Sequence, residues 1–296
     1  MMRSIVKWGT IWMILAASLL VAGNFLAAES SVSVEFTGKP LSAVQEQLIA
    51  DGFDPLKIRQ LYDQPQVSFE TDGVILLFTY KEARVDYHQF TNNWSIRKAK
   101  QYIQENEGDL TRIENAYGVD KRVITAILLV ETGLGASVGT RSTLNTLSTI
   151  AALTDPQVRD RLWDLIPDSK KISRKKFEKR AAARSQWAYE ELKAFLKYTD
   201  REGLDPVSIP GSFAGAVGVA QFMPTSILAY GREGNEDGVV DMLNHADSMA
   251  SIANFLKSHG WRPEQSRTKA KKIIHYYNHS DYYVDTILKI SSRLKS

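Results

Sequence analysis

The sequence predicts a mainly α-helical fold with additional helices around a core and one short hairpin. Three observations carry this. From Trp94 onward, long segments with apolar residues at helical spacing are separated by Gly, Pro and Asp. No stretch alternates strand-like and helix-like units, as a parallel sheet requires. The 296 residues are 44% hydrophobic, enough for a sizeable core, and include no Cys. The missing Cys excludes a disulfide framework, a zinc ribbon, a thiol nucleophile and a cysteine-attached lipid anchor.

The chain opens on Arg3 and Lys7 with no acid, and Trp8 to Gly23 is almost wholly apolar. Asn24 to Ala28 follow, and the first acid is Glu29. A basic start, about 15 apolar residues and small residues before a polar stretch describe a secretory signal. A transmembrane helix needs about 20 apolar residues. Residues 1–28 are therefore expected to be a signal peptide, with an uncleaved anchor as the alternative. The expected location is exported and periplasmic, or inner-membrane anchored through that segment, and not that of a lipoprotein. Without Arg3 and Lys7 the chain holds 35 basic against 34 acidic residues, a net of +1 in place of +3. That balance excludes a polycationic nucleic-acid binder.

Residues 29–84 are expected to form an N-terminal helical segment that packs on a domain of residues 85–296. Leu41, Val44, Leu48 and Ile49, then Leu56, Ile58 and Leu61 after Pro55, have helical spacing. Val67 and Phe69, then Val74 to Tyr80 across Asp72-Gly73, predict the hairpin over 66–80. Further helices are expected over 95–117, 120–131, 142–154, 183–199, 245–258, 267–277 and 280–293. Residues 170–184 hold Lys170, Lys171, Arg174, Lys175, Lys176, Lys179, Arg180 and Arg184 against Glu178 alone. Such a run is either a solvated helix face or an arm for a polyanion or an anionic membrane.

The chemistry concentrates after 123–130, Val-Ile-Thr-Ala-Ile-Leu-Leu-Val, which ends in Glu131 and is followed by Thr132-Gly133-Leu134-Gly135. Burying a carboxylate beside such a run costs free energy. If the glycines end the helix, apolar surroundings and the negative end of the helix dipole both raise the Glu131 pKa. A carboxyl protonated near neutral pH can serve as a general acid. The alternative is a Glu that escapes to solvent. Gly135-Ala136-Ser137-Val138-Gly139 also matches the G-x-S-x-G nucleophile elbow, and Gly133-Leu134-Gly135 with Gly139 approaches a dinucleotide fingerprint. Both need strands that the chain does not supply.

Three other segments stand out. In Gly211 to Ser226, small residues allow close approach to a ligand, Ser212 and Gln221 offer hydrogen bonds, and Phe222 and Met223 offer apolar surface. A sugar chain suits that combination, as does tight helix–loop packing. Tyr276-Tyr277-Asn278-His279-Ser280-Asp281-Tyr282-Tyr283 suits stacking on sugar rings, or core packing. His275 and His279 are four apart but lack the intervening Glu of a zincin. Glu233, Asn235, Asp237, Gly238 and the Val239 carbonyl resemble the start of an EF-hand loop. Asn244 stands where a bidentate Glu is expected, and Asp247 could substitute; the alternative is an acidic turn.

Together these segments resemble the membrane-bound lytic transglycosylase B family of peptidoglycan-cleaving enzymes, over roughly residues 40–296. The resemblance rests on Val130-Glu131-Thr132, then Gly211–Thr225, then Tyr277–Tyr283. It implies a lysozyme-like helical catalytic core over 85–296, with the basic stretch at about 155–182 as an insertion. By that resemblance Glu131 is the single acid/base, and Ser212 and Gln221 flank the cleavage point, with Ser212 close enough to bond Glu131. Tyr277, Asn278 and Tyr283 line the groove, with Asn278 on the N-acetyl group. Tyr87, in Asp86-Tyr87-His88-Gln89-Phe90, resembles a further groove tyrosine, and Arg184 one of a groove arginine pair whose partner is Ala183 here. Gly133-Leu134 stands where better-known members have an Arg-Trp pair.

The resemblance implies cleavage of the β-1,4 bond between N-acetylmuramic acid and N-acetylglucosamine with closure of a 1,6-anhydro ring. The expected partners are peptidoglycan glycan strands and proteins of cell-wall synthesis or hydrolysis, with no nucleic acid, for a monomeric chain. No cofactor is required, and a structural Ca2+ is the candidate metal, on Glu233, Asn235, Asp237, Val239 and Asp247. A hydrolytic muramidase and a non-catalytic peptidoglycan-binding scaffold are the alternatives.

Overall fold

The computed structural model describes residues 40–79 and 86–295, so the expected signal or anchor lies outside the described residues. The N-terminal pair, α1 (Ser42–Ala50) and α2 (Pro55–Tyr62), follows the apolar spacing: Val44, Leu48, Ile58 and Leu61 are buried. Asp54 caps α2 by accepting from Leu56 N–H at 2.8 Å, with Pro55 in the first turn.

The expected hairpin over 66–80 is instead a helix, α3 (Thr71–Thr79). Val74, Leu77 and Phe78 lie three and four residues apart and bury one face, which a strand cannot do. A short apolar run of this kind fits either period, and burial against neighbours decides. Glu70 accepts the Gly73 N–H at 3.0 Å, and Arg141 passes so close that a Cβ on Gly73 would lie 3.0 Å from its Cδ. Asp72-Gly73, read as a turn, is the first turn of the helix.

A short helix α4 (His88–Thr91) leads into α5 (Asn93–Glu105) and α6 (Glu107–Tyr117). The single helix expected over 95–117 breaks at Asn106 (φ −114°, ψ 24°). Helix α7 (Lys121–Thr132) is capped by Asp120 and buries every residue from Val123 to Thr132. It is the axis of the fold, with α5, α6, α12 (His245–Ser258) and α14 (Asp281–Arg293) packed around it. A helix apolar all round survives in water only under such a wrapping.

Strand β1 (Arg141–Ser142) pairs antiparallel with β2 (Pro210–Gly211), Arg141 opposite Gly211, and this is the only sheet among the described residues. Gly139 (φ +103°) lets the chain reach β2, since a Cβ there would lie 2.1 Å from the Gly211 carbonyl oxygen. Helix α8 (Thr143–Ala151) then packs on α10 (Arg174–Glu202), with α9 (Pro156–Leu165) between them in sequence. The basic stretch is thus α9 and the start of α10, so the helix expected over 183–199 begins at Arg174. Phe177, 0% exposed, fixes this extension between the rings of Phe78 and Trp163, each 5.1 Å away. Helices α11 (Pro224–Tyr230) and α13 (Arg267–Tyr277) complete the body. Among the described residues no helix is long and apolar enough to cross a membrane.

Candidate active site

Glu131 occupies the last turn of α7 and is 2% exposed. The hydroxyl of Tyr283, in the first turn of α14, donates to Glu131 Oε1 at 2.6 Å, while Oε2 is buried with no protein partner. Burial pushes the carboxyl up to about 8, and the Tyr283 bond opposes the rise. At neutral pH the group is therefore mostly protonated. Burial also holds the Tyr277 and Tyr283 phenols well above their ordinary value, with the Glu131 charge adding to it, so both remain donors.

The sequence-predicted residues mostly converge here. The ring of Tyr277 stacks parallel to Tyr283 at 6.4 Å, and its hydroxyl donates to the Ala220 carbonyl at 2.6 Å. That anchors the 211–226 loop beside α13 and α14. Asn278 ends α13 in extended backbone and is buried. Tyr87 stacks on the exposed Tyr282 at 6.5 Å, and its phenol acts electrostatically on Tyr283. Gln221 holds φ +50°, left-handed backbone rare for a side-chain-bearing residue. Its Nε2 donates to the Val138 and Gly218 carbonyls at 3.1 and 2.9 Å, and its Oε1 is buried without a partner.

Two expectations differ. The Ser212 hydroxyl accepts from Ala214 and Ala216 N–H at 3.3 and 3.1 Å, and the bond to Glu131 comes from Tyr283 instead. Ser212 thus shapes its own turn. Arg184 bonds the Leu77 carbonyl and lies 4.9 Å from the Phe78 ring, so its recorded contacts are with α3. Burial, and Arg180 next to it, push the guanidinium down to about 10.

The acidic loop has the oxygen donors of a hard-cation site. Asp247 is fully buried and pushed up to about 6 by burial, with the charges of Asp237 and Glu233 adding to it. Such an accumulation of carboxylates favours a cation. As placed, however, Asp247 accepts Gly234 and Asp241 N–H, each at 2.7 Å. Asp237 accepts Val239 N–H at 2.8 Å, and Glu233 accepts Asn235 N–H. No three His, Cys, Asp or Glu side chains among the described residues converge closely enough to hold a metal ion.

Sequence reasoning missed two polar residues. Thr132 is 1% exposed; its hydroxyl donates to the Val219 carbonyl and accepts the Gly135 N–H, both at 2.9 Å. It ties the turn after Glu131 to the 211–226 loop. Val219 N–H in turn donates to the Met242 carbonyl at 2.9 Å, where Gly218 (φ +75°) passes so closely that a Cβ would lie 2.0 Å from that oxygen. Glu191 is 5% exposed and accepts from Thr225 N–H and hydroxyl at 2.9 and 2.8 Å, capping α11 from α10 because Met223 has no capping side chain. An acid or threonine inside an otherwise buried face was the available signal for both.

The comparisons place this helical fold among the lysozyme-like lytic transglycosylases. The chain belongs to the Transglycosylase SLT domain family, whose model matches residues 37–272. It is 29% identical over 167 residues to the membrane-bound lytic murein transglycosylase B of Escherichia coli (strain K12), a match covering 56% of this chain and 39% of that protein. Among solved structures, catenated lytic transglycosylase SltB1 of Pseudomonas aeruginosa superposes with a TM-score of 0.70 at 20% identity, over 87% of this chain and 98% of that one. SltB3 of Pseudomonas aeruginosa in complex with NAG-anhNAM-pentapeptide gives 0.69 at 18%, over 86% and 78%. A lytic transglycosylase of Escherichia coli in complex with calcium gives 0.68 at 20%, over 88% and 93%.

Thr132→Val keeps the shape of the side chain but leaves the buried Val219 carbonyl unpaired. Urea unfolding should show a loss of roughly 1–3 kcal/mol, with Thr132→Ser restoring most of it. Equal stability of Val and wild type would remove the tie from the account.

Proposed function

We propose that the chain cleaves peptidoglycan glycan strands as a lytic transglycosylase, with Glu131 as the single acid/base. The observation that carries this is the Glu131 carboxyl, buried, protonated and with Oε2 unpartnered beside the 211–226 loop. The other two buried carboxylates among the described residues are committed elsewhere: Glu191 to Thr225, Asp247 to backbone N–H groups. An ordinary glycosidase pairs its acid with a second carboxylate that acts as nucleophile or base. A site built on one acid favours a substrate that supplies its own nucleophile.

In this mechanism Glu131 donates its proton to the oxygen between N-acetylmuramic acid and N-acetylglucosamine. Positive charge grows at the anomeric carbon, where the substrate's acetamido oxygen assists. Glu131, now a carboxylate held by the Tyr283 hydroxyl, takes the proton of the muramic 6-hydroxyl, and that oxygen closes the 1,6-anhydro ring. No water is consumed. Tyr277, Asn278, Gln221 and Tyr87 contact the sugars, and Ser212 shapes the loop that carries Gln221. The pentapeptide-bearing NAG-anhNAM seen on the SltB3 relative supports both the product and a substrate with peptide stems.

The basic and apolar character of residues 1–28 supports export to the periplasm, as a cleaved signal or an anchor. The acidic loop is read as a calcium site on its donor types and on the calcium complex of the Escherichia coli relative. Binding there requires Asp247 to turn from the backbone to the ion.

Digestion of purified sacculi followed by mass spectrometry should yield anhydromuropeptides with the wild type and none with Glu131→Gln. Reducing-end muramic acid would instead identify a hydrolytic muramidase. The rate should fall on the alkaline side as Glu131 loses its proton near pH 8. The Tyr283 bond stabilises the carboxylate, so Tyr283→Phe should move that limb to higher pH while lowering the maximal rate. A limb that stays in place sinks the Tyr283–Glu131 coupling. Calcium should raise Tm relative to EDTA in the wild type and not in Asp247→Asn; identical melting curves reduce the loop to an Asx-pinned turn.

A further inference from the structure

The extension α9–α10 carries charge that the catalytic site does not use. Within it Arg159 and Arg174 pair with Glu178, Arg174 also with Asp160, and Lys171 with Asp168. On the first two turns of α10, four cations remain. Lys175, Lys176, Lys179 and Arg180 are exposed and have no ion-pair partner among the described residues. At about 100° per residue they fall within an arc of roughly 140°, a single stripe on the outer face of α10. They occupy the first two turns of a 29-residue helix with no acid in its first turn. The helix dipole is positive at this end, so the stripe opposes it and adds to its potential. Like-charge repulsion reaches Arg184, which Arg180 helps to push down. Phe177, locked between Phe78 and Trp163, holds the stripe rigid rather than on a loose arm.

We propose that this stripe binds the carboxylates of the peptide stems on peptidoglycan strands; this rests on the reading of the chain as a peptidoglycan-cleaving enzyme. Two observations choose stems over an anionic membrane. An interfacial helix needs large apolar side chains beside its cations. The exposed residues that follow on this face are Ala182, Ala183 and Gln186, and none of the exposed large hydrophobic residues lies on α10. The second is position. Glu191, about 16 Å along the same helix from Arg180, fastens Thr225 at the end of the 211–226 loop. The stripe is therefore carried by the element that also holds the sugar-contacting loop. Lysines suit the task, because a point charge on a flexible stem can follow carboxylates of varying position.

The test is co-sedimentation with sacculi in the Glu131→Gln background, so that the polymer is not consumed. Sacculi are used intact and after an amidase has removed the stems. The variant Lys175→Glu/Lys176→Glu/Lys179→Glu/Arg180→Glu places acids at a helix N-terminus, where they favour folding. We expect it to bind intact sacculi about tenfold more weakly at low salt. Parent and variant should bind stripped glycan alike, and the difference on intact sacculi should shrink as salt rises. Equal binding of parent and variant to intact sacculi overturns the proposal, as does stripe-dependent binding to stripped glycan. Stripe-dependent binding to phosphatidylglycerol vesicles without dependence on sacculi overturns it in favour of a membrane. Product analysis with the wild type reports separately on the catalytic reading, because binding is measured without turnover.

Discussion

The carboxyl of Glu131 sits where a charge is costly, and much of the structure exists to keep it there. Helix α7 delivers it at the end of a run of buried residues, and α5, α6, α12 and α14 exclude water from that run. The Tyr283 hydroxyl is the single counterweight: it favours the anion, while burial disfavours it. The result is an acid near the neutral range rather than one locked in either state. A group whose folded pKa is raised to about 8 stabilises least once pH exceeds that value, so the same feature makes the fold weaker in alkali. Below the ordinary carboxyl range the penalty vanishes, since the group is protonated folded or unfolded.

Around this acid, the 211–226 loop is held by backbone more than by side-chain contacts of its own. Thr132 grips the Val219 carbonyl, Tyr277 the Ala220 carbonyl, and Met242 receives the Val219 N–H. Glu191 secures Thr225 at the far end. Donors and acceptors from α7, α10, α13 and the segment before α12 thus fix one short stretch. This explains how Gln221 can be kept in left-handed backbone, a conformation that costs about 1–3 kcal/mol and persists only when its surroundings over-determine it.

Much of this was legible in the sequence, for reasons that differ by element. Helices α12 and α13 coincide with their expected spans because their apolar faces and caps agree: Asn244 and Ser266 cap just before the periodic residues begin. Glu131 was legible because a carboxylate after eight apolar or small residues has few explanations. Helix α3 was not, because Val74 to Phe78 is too short for its period to be read and Asp72-Gly73 mimics a turn. Neither were the partners of Glu131 and Ser212. Which hydroxyl reaches a carboxyl is a matter of ångströms between distant segments, and composition is silent on it. Arg184 shows the same limit: its charge was visible, but its contact with the Leu77 carbonyl depends on how α3 folds.

Tyr283 and Glu131 lie 152 residues apart. The glutamate therefore gains its phenol only when the chain closes on itself over that distance. Until α14 packs on α7, the carboxyl is open to water and has neither its raised pKa nor its aligned donor. The acid is thus a property of the finished fold rather than of its local segment. A partly folded chain carries the carboxyl without its shifted pKa or its hydrogen-bond donor, and both arrive with α14.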